Sequence, residues 1–192
     1  MKKTIKKSMK DKPGAKKDAI AMLQDDHNEV KKIFRQFKQL LEDDAPHAEK
    51  AALVKKACNA LLIHTKIEEE IFYPAVRKAT RDNELMDEAT VEHDGAKQLI
   101  DQLLDMMPGE DMYDAKFIVL SEQVKHHIKE EEDKMFPEAR ASKVDLMRLG
   151  AQMEKRKIEL QEEMGVSDVD MDDVALLSSR DRARLTDEGM LP

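Results

Sequence analysis

The sequence predicts an all-α protein: an up-and-down antiparallel four-helix bundle with an additional C-terminal helix and flexible tails. Three observations lead there. Charged residues make up 39% of the 192 positions, aromatics only 4%, Trp is absent, and Gly and Pro number six each. That composition suits exposed helical faces and disfavours sheet. Long stretches carry apolar residues in steps of three and four, the spacing of one helix face. The breaks between those stretches are short, which makes neighbouring helices antiparallel.

The first seventeen residues hold eight lysines and one aspartate, with Pro13-Gly14 and no apolar period. They are expected to form a basic disordered tail. Against a whole-chain charge of -8, this leaves -15 on the remainder. An acidic body argues against nucleic-acid binding by the bundle. Asp18 is placed to cap a first helix reaching about Asp43, with the stripe Ile20, Leu23, His27, Val30, Phe34, Phe37, Leu41. Pro46 suits the first turn of a second helix, to about Thr80. Its stripe is Leu53, Ala57, Ala60, His64, Ile67/Glu68, Ile71, Ala75, and Pro74 within it predicts a kink or an early end.

Asp82 is the expected cap of a third helix, to about Met107, with Met86, Ala89, His93, Ala96, Ile100, Leu103 and Met107 on one face. Pro108-Gly109 marks a turn. Asp111 or Asp114 is expected to open the fourth helix, which runs to about Arg140 with the stripe Phe117, Leu120, Val124, His127, Glu131, Met135. His126 falls off that stripe and His127 on it. A fifth amphipathic helix is expected over Lys143–Met164, stopped by Gly165. The organisation is thus a basic tail (1–17), the bundle (18–140), an accessory C-terminal helix (141–165) and an acidic tail (166–192).

One pattern occurs twice inside the bundle. His64-x-x-x-Glu68 ends in Tyr73-Pro74, and His127-x-x-x-Glu131 ends in Phe136-Pro137. A spacing of four puts imidazole and carboxylate on one helix face, one turn apart. Counting from the loops, His27 lies 16 residues before Asp43 and His64 lies 18 after Pro46. His93 lies 14 before Met107 and His127 16 after Asp111. At about 1.5 Å per residue these depths agree to roughly 3 Å. Four histidines and two glutamates are therefore expected in one layer of one core.

A lone His on an apolar face is usually a hydrogen-bonded core residue, and a lone buried Glu is usually half of an ion pair. Six such groups in one layer are different. Two buried carboxylates carry a heavy desolvation cost, and no Lys or Arg lies on the central line of any stripe. Divalent cations remove that cost, with neutral imidazoles completing the coordination. If each Glu bridges, two ions receive two carboxylate oxygens each and the four histidines divide between them. Nitrogen and oxygen donors without thiolate favour iron or manganese over structural zinc. The predicted metal residues are His27, His64, Glu68, His93, His127 and Glu131.

The other acids of the repeated stretches, Glu69, Glu70, Glu130, Glu132 and Asp133, are read mostly as a solvated face, with some of them, none singled out, available to orient the ligand histidines from behind. Asp26 and Glu92, each just before a histidine, divide evenly between partners of the ligand histidines and plain surface acids. His47 has no assigned role. Cys58, the single cysteine, is read as core filling, excludes an internal disulfide and fits a reducing cytoplasm. No apolar run approaches a membrane span, and none follows the basic N-terminus as a signal peptide requires.

At these residues the sequence resembles the hemerythrin family, in its HHE cation-binding branch, over roughly residues 18–140. The resemblance implies a four-helix bundle around two non-haem iron ions, with manganese or zinc as substitutes. It implies His27 and His64 as terminal ligands of one iron, His93 and His127 as ligands of the other or shared across it, and Glu68 and Glu131 as bridges. Two places differ from the oxygen-carrying members. Lys97 stands where they have a second third-helix histidine, and Glu131 replaces an aspartate one position further on. Four His and two Glu leave the irons more open. That shifts the expectation from reversible oxygen carriage toward reaction with, or sensing of, dioxygen, peroxide or nitric oxide, in oxidative or nitrosative stress defence. The alternative expectation is an iron- or oxygen-responsive regulatory module, acting on a protein partner through the C-terminal helix. A purely structural bundle without metal is the third reading.

Overall fold

The computed structural model describes residues 17–80 and 84–166. The basic segment up to residue 16, the acidic segment from 167 and the expected Asp82 cap lie outside the described residues. Those described form helices and turns, with no strand among them. The first helix, α1 (Ala19–Glu42), begins as its sequence demands. The Asp18 carboxylate accepts a hydrogen bond from the Ala21 N–H at 2.8 Å, a cap worth about 1 kcal/mol. Pro46 takes the cap position just before α2 (His47–Ile67), one place earlier than its expected first-turn position.

Pro74 neither ends nor sharply breaks the second helix. The chain passes through a single widened π turn, Glu68–Phe72, and continues as α3 (Tyr73–Thr80). Proline has no N–H for the carbonyl four residues back and its ring crowds that carbonyl. The helix relieves this just upstream: the Tyr73 N–H bonds the Glu68 carbonyl, five residues back. The second copy repeats the device. After α4 (Glu84–Asp105) and α5 (Tyr113–Glu130), a π turn spans Glu131–Met135, the Phe136 N–H bonds the Glu131 carbonyl, and α6 (Phe136–Ala141) carries Pro137. In a regular α-helix residues five apart point about 140° away from each other. The wider turn lets Glu68 and Tyr73, or Glu131 and Phe136, face the interior together, and all four are buried.

The opening of α5 differs from expectation. Neither Asp111 nor Asp114 caps it; Met112 does, in the left-handed conformation at φ 71° and without a side-chain bond. Asp114 is unavailable because its carboxylate pairs with the buried Lys50 of α2 at 2.6 Å, tying the two helices together. The expected fifth helix is α7 (Leu146–Met164), capped by Asp145 and closed by Gly165 in the left-handed conformation at φ 63°. It begins three residues later than expected because Asp145, rather than an earlier residue, accepts from the Arg148 N–H.

In the bundle α1 packs on α2 and α4 on α5, and α7 lies against α1 and α2. The apolar core has two parts. One gathers Phe34, Phe37, Leu53, Leu61, Ile100, Phe117 and Leu120. The other gathers Ile20, Leu23, Ile67, Phe72, Met86, Met135 and Phe136, and takes in Leu149, Met153 and Leu160 of α7. Between them lie the buried polar residues His27, His64, Glu68, His93, His127 and Glu131. The fifth helix is thus a working part of the core. Its approach depends on Gly150, where a Cβ would stand 2.6 Å from the Lys17 carbonyl oxygen and 2.8 Å from the Ala19 nitrogen. Backbone cannot yield as a flexible side chain can. Gly150→Ala should lower stability by about 1–3 kcal/mol, by the usual cost of overpacking, measured by urea unfolding. An unchanged midpoint would mean that α7 does not dock so closely.

Candidate metal centre

Each of the six sequence-predicted residues reaches the same layer. The His64 Nε2 lies 3.3 Å from Glu68 Oε2, and His93 Nε2 lies 3.5 Å from the same oxygen. On the other side, His27 Nε2 and His127 Nε2 lie 3.2 and 3.5 Å from Glu131 Oε2. The His93 and His127 Nε2 atoms are 3.0 Å apart. Glu68 is 0% and Glu131 1% exposed, so neither carboxylate faces bulk solvent. Two groups form where single atoms approach one another closely enough to share an ion: His27, His64, Glu68 and Glu131, and Glu68, His93 and His127. Glu68 belongs to both.

A ring of carboxylates surrounds the imidazoles. Glu132 lies 3.0 Å from His27 Nδ1, Glu69 2.9 Å from His93 Nδ1, Glu92 2.7 Å from His127 Nδ1 and Asp26 3.5 Å from His64 Nδ1. A carboxylate accepts, so the proton of each neutral ring is held on Nδ1 and the Nε2 lone pair is left facing inward. Cations hold three of the carboxylates in turn. Lys31 donates to Glu132, Lys97 to Glu69 and Lys157 to Asp26. The pattern follows the internal repeat. The residue before His27 or His93 serves the second histidine of its own half, and the residue after Glu68 or Glu131 serves the first histidine of the other half. Lys31 and Lys97 each stand four residues after the first histidine of their half.

The aromatics after the repeats also correspond, then diverge. Phe136 stacks on His27 and Tyr73 on His93, each at 5.6 Å between centroids. Tyr73 adds a hydroxyl. It donates to Glu131 Oε1 at 2.9 Å and stands 3.4–3.5 Å from His93 Nε2, His127 Nε2 and Glu68 Oε2. Burial and the two glutamates push the Tyr73 phenol well above its usual pKa, so it remains a donor.

Charge is divided unevenly across the layer. Burial, and then the charge of Glu131, raise Glu68 well above the carboxylate range, so Glu68 keeps a proton. Burial would raise Glu131 too, but the His127 and His27 rings outweigh it and hold it low. Burial pushes His64 down to about 4. Burial would also lower His127, but Glu131 and Glu92 prevail and raise it.

The donor set fits a cation. His27 Nε2, both nitrogens of His64, Glu68 Oε1 and Glu131 Oε2 are buried without a hydrogen-bond partner. Such orphans cost about 1–3 kcal/mol each and are rare in native interiors. Two inward lone pairs 3.0 Å apart, on His93 and His127, repel unless a proton or a cation lies between them. A divalent ion addresses the inward-facing atoms among these together, while His64 Nδ1 faces Asp26 at 3.5 Å. A third cluster, Glu92, His126 and Glu130, lies near the surface, and Lys134 already neutralises its Glu130 at 2.6 Å.

A family model for the hemerythrin HHE cation binding domain matches residues 18–139. The chain belongs to that family. A crystal structure of a hemerythrin HHE cation binding domain-containing protein from Mycobacterium kansasii superposes with a TM-score of 0.63 at 25% identity, covering 77% of this chain and 89% of that one. No curated protein matches the chain significantly. The HHE family model ends before α7, so the packing of α7 on the site lies beyond the matched segment.

The sequence reading missed three residues of this hemerythrin-type layer. Glu69 and Glu132 belong to the acids expected mostly to face solvent, with none singled out as a histidine partner, yet they hold His93 and His27. The signal was present, since both directly follow the glutamate of their repeat. Tyr73 was seen only as an aromatic before proline, and its inward turn depends on the π turn. Of the two acids left open, Asp26 and Glu92, both approach histidines of the layer.

A cation competes with protons for Glu68 and His127, both of which are raised, by burial at Glu68 and by Glu131 and Glu92 at His127. Loading should therefore release protons, and affinity should rise with pH. Calorimetric titration in buffers of different ionisation enthalpy measures this; loading without proton release would contradict the charge assignment.

Proposed function

We propose that the chain holds two iron ions between its four helices and reacts with, or senses, dioxygen, peroxide or nitric oxide in oxidative or nitrosative stress defence. His27 and His64 would hold one ion and His93 and His127 the other, with Glu68 and Glu131 shared. Manganese or zinc would be substitutes. The single observation that carries this reading is the inward convergence of four Nε2 atoms on two buried carboxylates, each ring fixed from behind by an acid. Iron at such a site supplies redox and Lewis-acid chemistry to a bound small molecule.

The chain's own residues supply the rest. Val30, Leu61, Ala96 and Val124 line a cavity that reaches all four histidines. These apolar side chains give a small, weakly hydrated molecule a favourable path toward the histidines. The Tyr73 hydroxyl is a buried donor within the layer, placed to hydrogen-bond an oxygen atom there. The layer's having four histidines and not five also supports reactivity over stable carriage: Lys97 spends its ammonium on Glu69, at 2.7 Å, and offers no ligand. Among the described residues no helix is long and apolar enough to cross a membrane.

The test is anaerobic loading with ferrous iron, metal analysis, then peroxide or nitric oxide with the visible spectrum recorded. Two irons per chain and a new charge-transfer band, with loss of peroxide, are expected. His64→Ala and Glu131→Ala should each lose at least half of the bound iron. A wild-type chain that binds no iron would overturn the reading.

A further inference from the structure

The accessory helix α7 is wired to one half of the layer only. Three lysines back the carboxylates that hold the imidazoles. Lys31 comes from α1 and Lys97 from α4, so the bundle supplies them itself. The third, Lys157, comes from α7 and meets Asp26 Oδ1 at 2.5 Å. Asp26 is 15% exposed at its side chain, and its other oxygen faces His64 Nδ1 at 3.5 Å, the longest of the four carboxylate–imidazole contacts. His64 is also the one histidine of the layer for which neither ring nitrogen has a hydrogen bond of good geometry, the Asp26 contact to its Nδ1 being long. Its orientation is the least secured, and it depends on a carboxylate whose cation lies outside the bundle. Lys157 and Gln161 of α7 further line the cavity that reaches the histidines.

We infer that Lys157 is a positioning residue for the His64 half of the metal centre, so that docking of α7 and metal occupancy of that half stabilise each other. This rests on the metal-binding reading above. Asp26 held by Lys157 turns the His64 Nε2 toward Glu68. With Lys157 removed, Asp26 is free to turn to water, and His64 loses the acceptor that fixes its proton on Nδ1. The coupling is reciprocal by linkage. An ion that pins His64 pins Asp26, and Asp26 then holds α7. The rest of the α7 contact does not run through the histidine: Leu149, Met153 and Leu160 bury themselves in the core part around Ile20, Phe72 and Phe136, and Arg156 pairs with Glu70 at 2.7 Å. Lys157 is therefore a local link within a helix that stays docked by other means.

The test compares the full chain with Lys157→Met, Lys157→Arg and, as a control, Lys155→Met, whose lysine pairs only with Glu159 of the same exposed face. Each is titrated with ferrous iron against a competing chelator, so that the two equivalents are resolved. Lys157→Met should weaken one equivalent about 10–100-fold and leave the other unchanged. Lys157→Arg should restore most of the loss, and Lys155→Met should match wild type. In the unmutated protein, hydrogen exchange across 146–164 should slow on metal loading. Wild-type-like titration of Lys157→Met, equal weakening of both equivalents, or exchange in α7 indifferent to metal would each overturn the inference. The exchange measurement decides even if a variant folds poorly. A wild-type chain that takes up no iron would defeat the underlying metal reading, and that result is distinct because it appears before any variant is compared.

Discussion

Two carboxylates and four imidazoles occupy a layer from which water is excluded, and the remainder of the molecule is arranged around that problem. Each apolar core part stops at this layer, and the helices cross it at matching depths. A buried ionic group left without a partner costs several kcal/mol. The protein reduces that cost from outside by acids behind the rings and by lysines behind the acids. It does not relieve the centre itself, where orphaned nitrogens and oxygens face one another. A layer built with its inner atoms unsatisfied and its outer atoms carefully satisfied is organised to receive positive charge.

The same logic explains the distorted helix turns. A straight α-helix presents His64 and Glu68 on one face but sends the residue five beyond the glutamate elsewhere. Pro74 and Pro137 remove a hydrogen bond at that point and the helix accommodates them with one π turn in each half. Glutamate and aromatic then share the interior. The two halves use this identical backbone device for different ends. Phe136 is a flat wall against His27, and Tyr73 adds a hydroxyl within reach of four site atoms.

Much of this was legible in the sequence because the information was periodic. Stripes of three and four place the histidines on buried lines, and short loops fix the antiparallel order, so depth could be counted along the chain. The layer that gathers four histidines and two glutamates was therefore visible before any coordinates. What escaped was lateral reach. Glu69 and Glu132 sit beside the buried glutamates in sequence, and a helical wheel turns them toward solvent; their side chains nonetheless bend across to the neighbouring helix, where an Nδ1 proton awaits an acceptor. Nor could periodicity show that α7 would meet Asp26, because that contact depends on the close backbone approach at Gly150. The left-handed Met112 that opens α5 was hidden for a related reason: Asp114, the better cap by composition, is committed to Lys50.

The most direct test of the claim that this layer is a two-ion centre is a crystal structure of the iron-loaded protein with diffraction recorded on both sides of the iron absorption edge. The account predicts two anomalous peaks about 3.5–4 Å apart, the usual separation in two-metal sites, flanked by Nε2 of His27 and His64 on one side and of His93 and His127 on the other. A single peak, or peaks confined to the surface group of Glu92, His126 and Glu130, would contradict it.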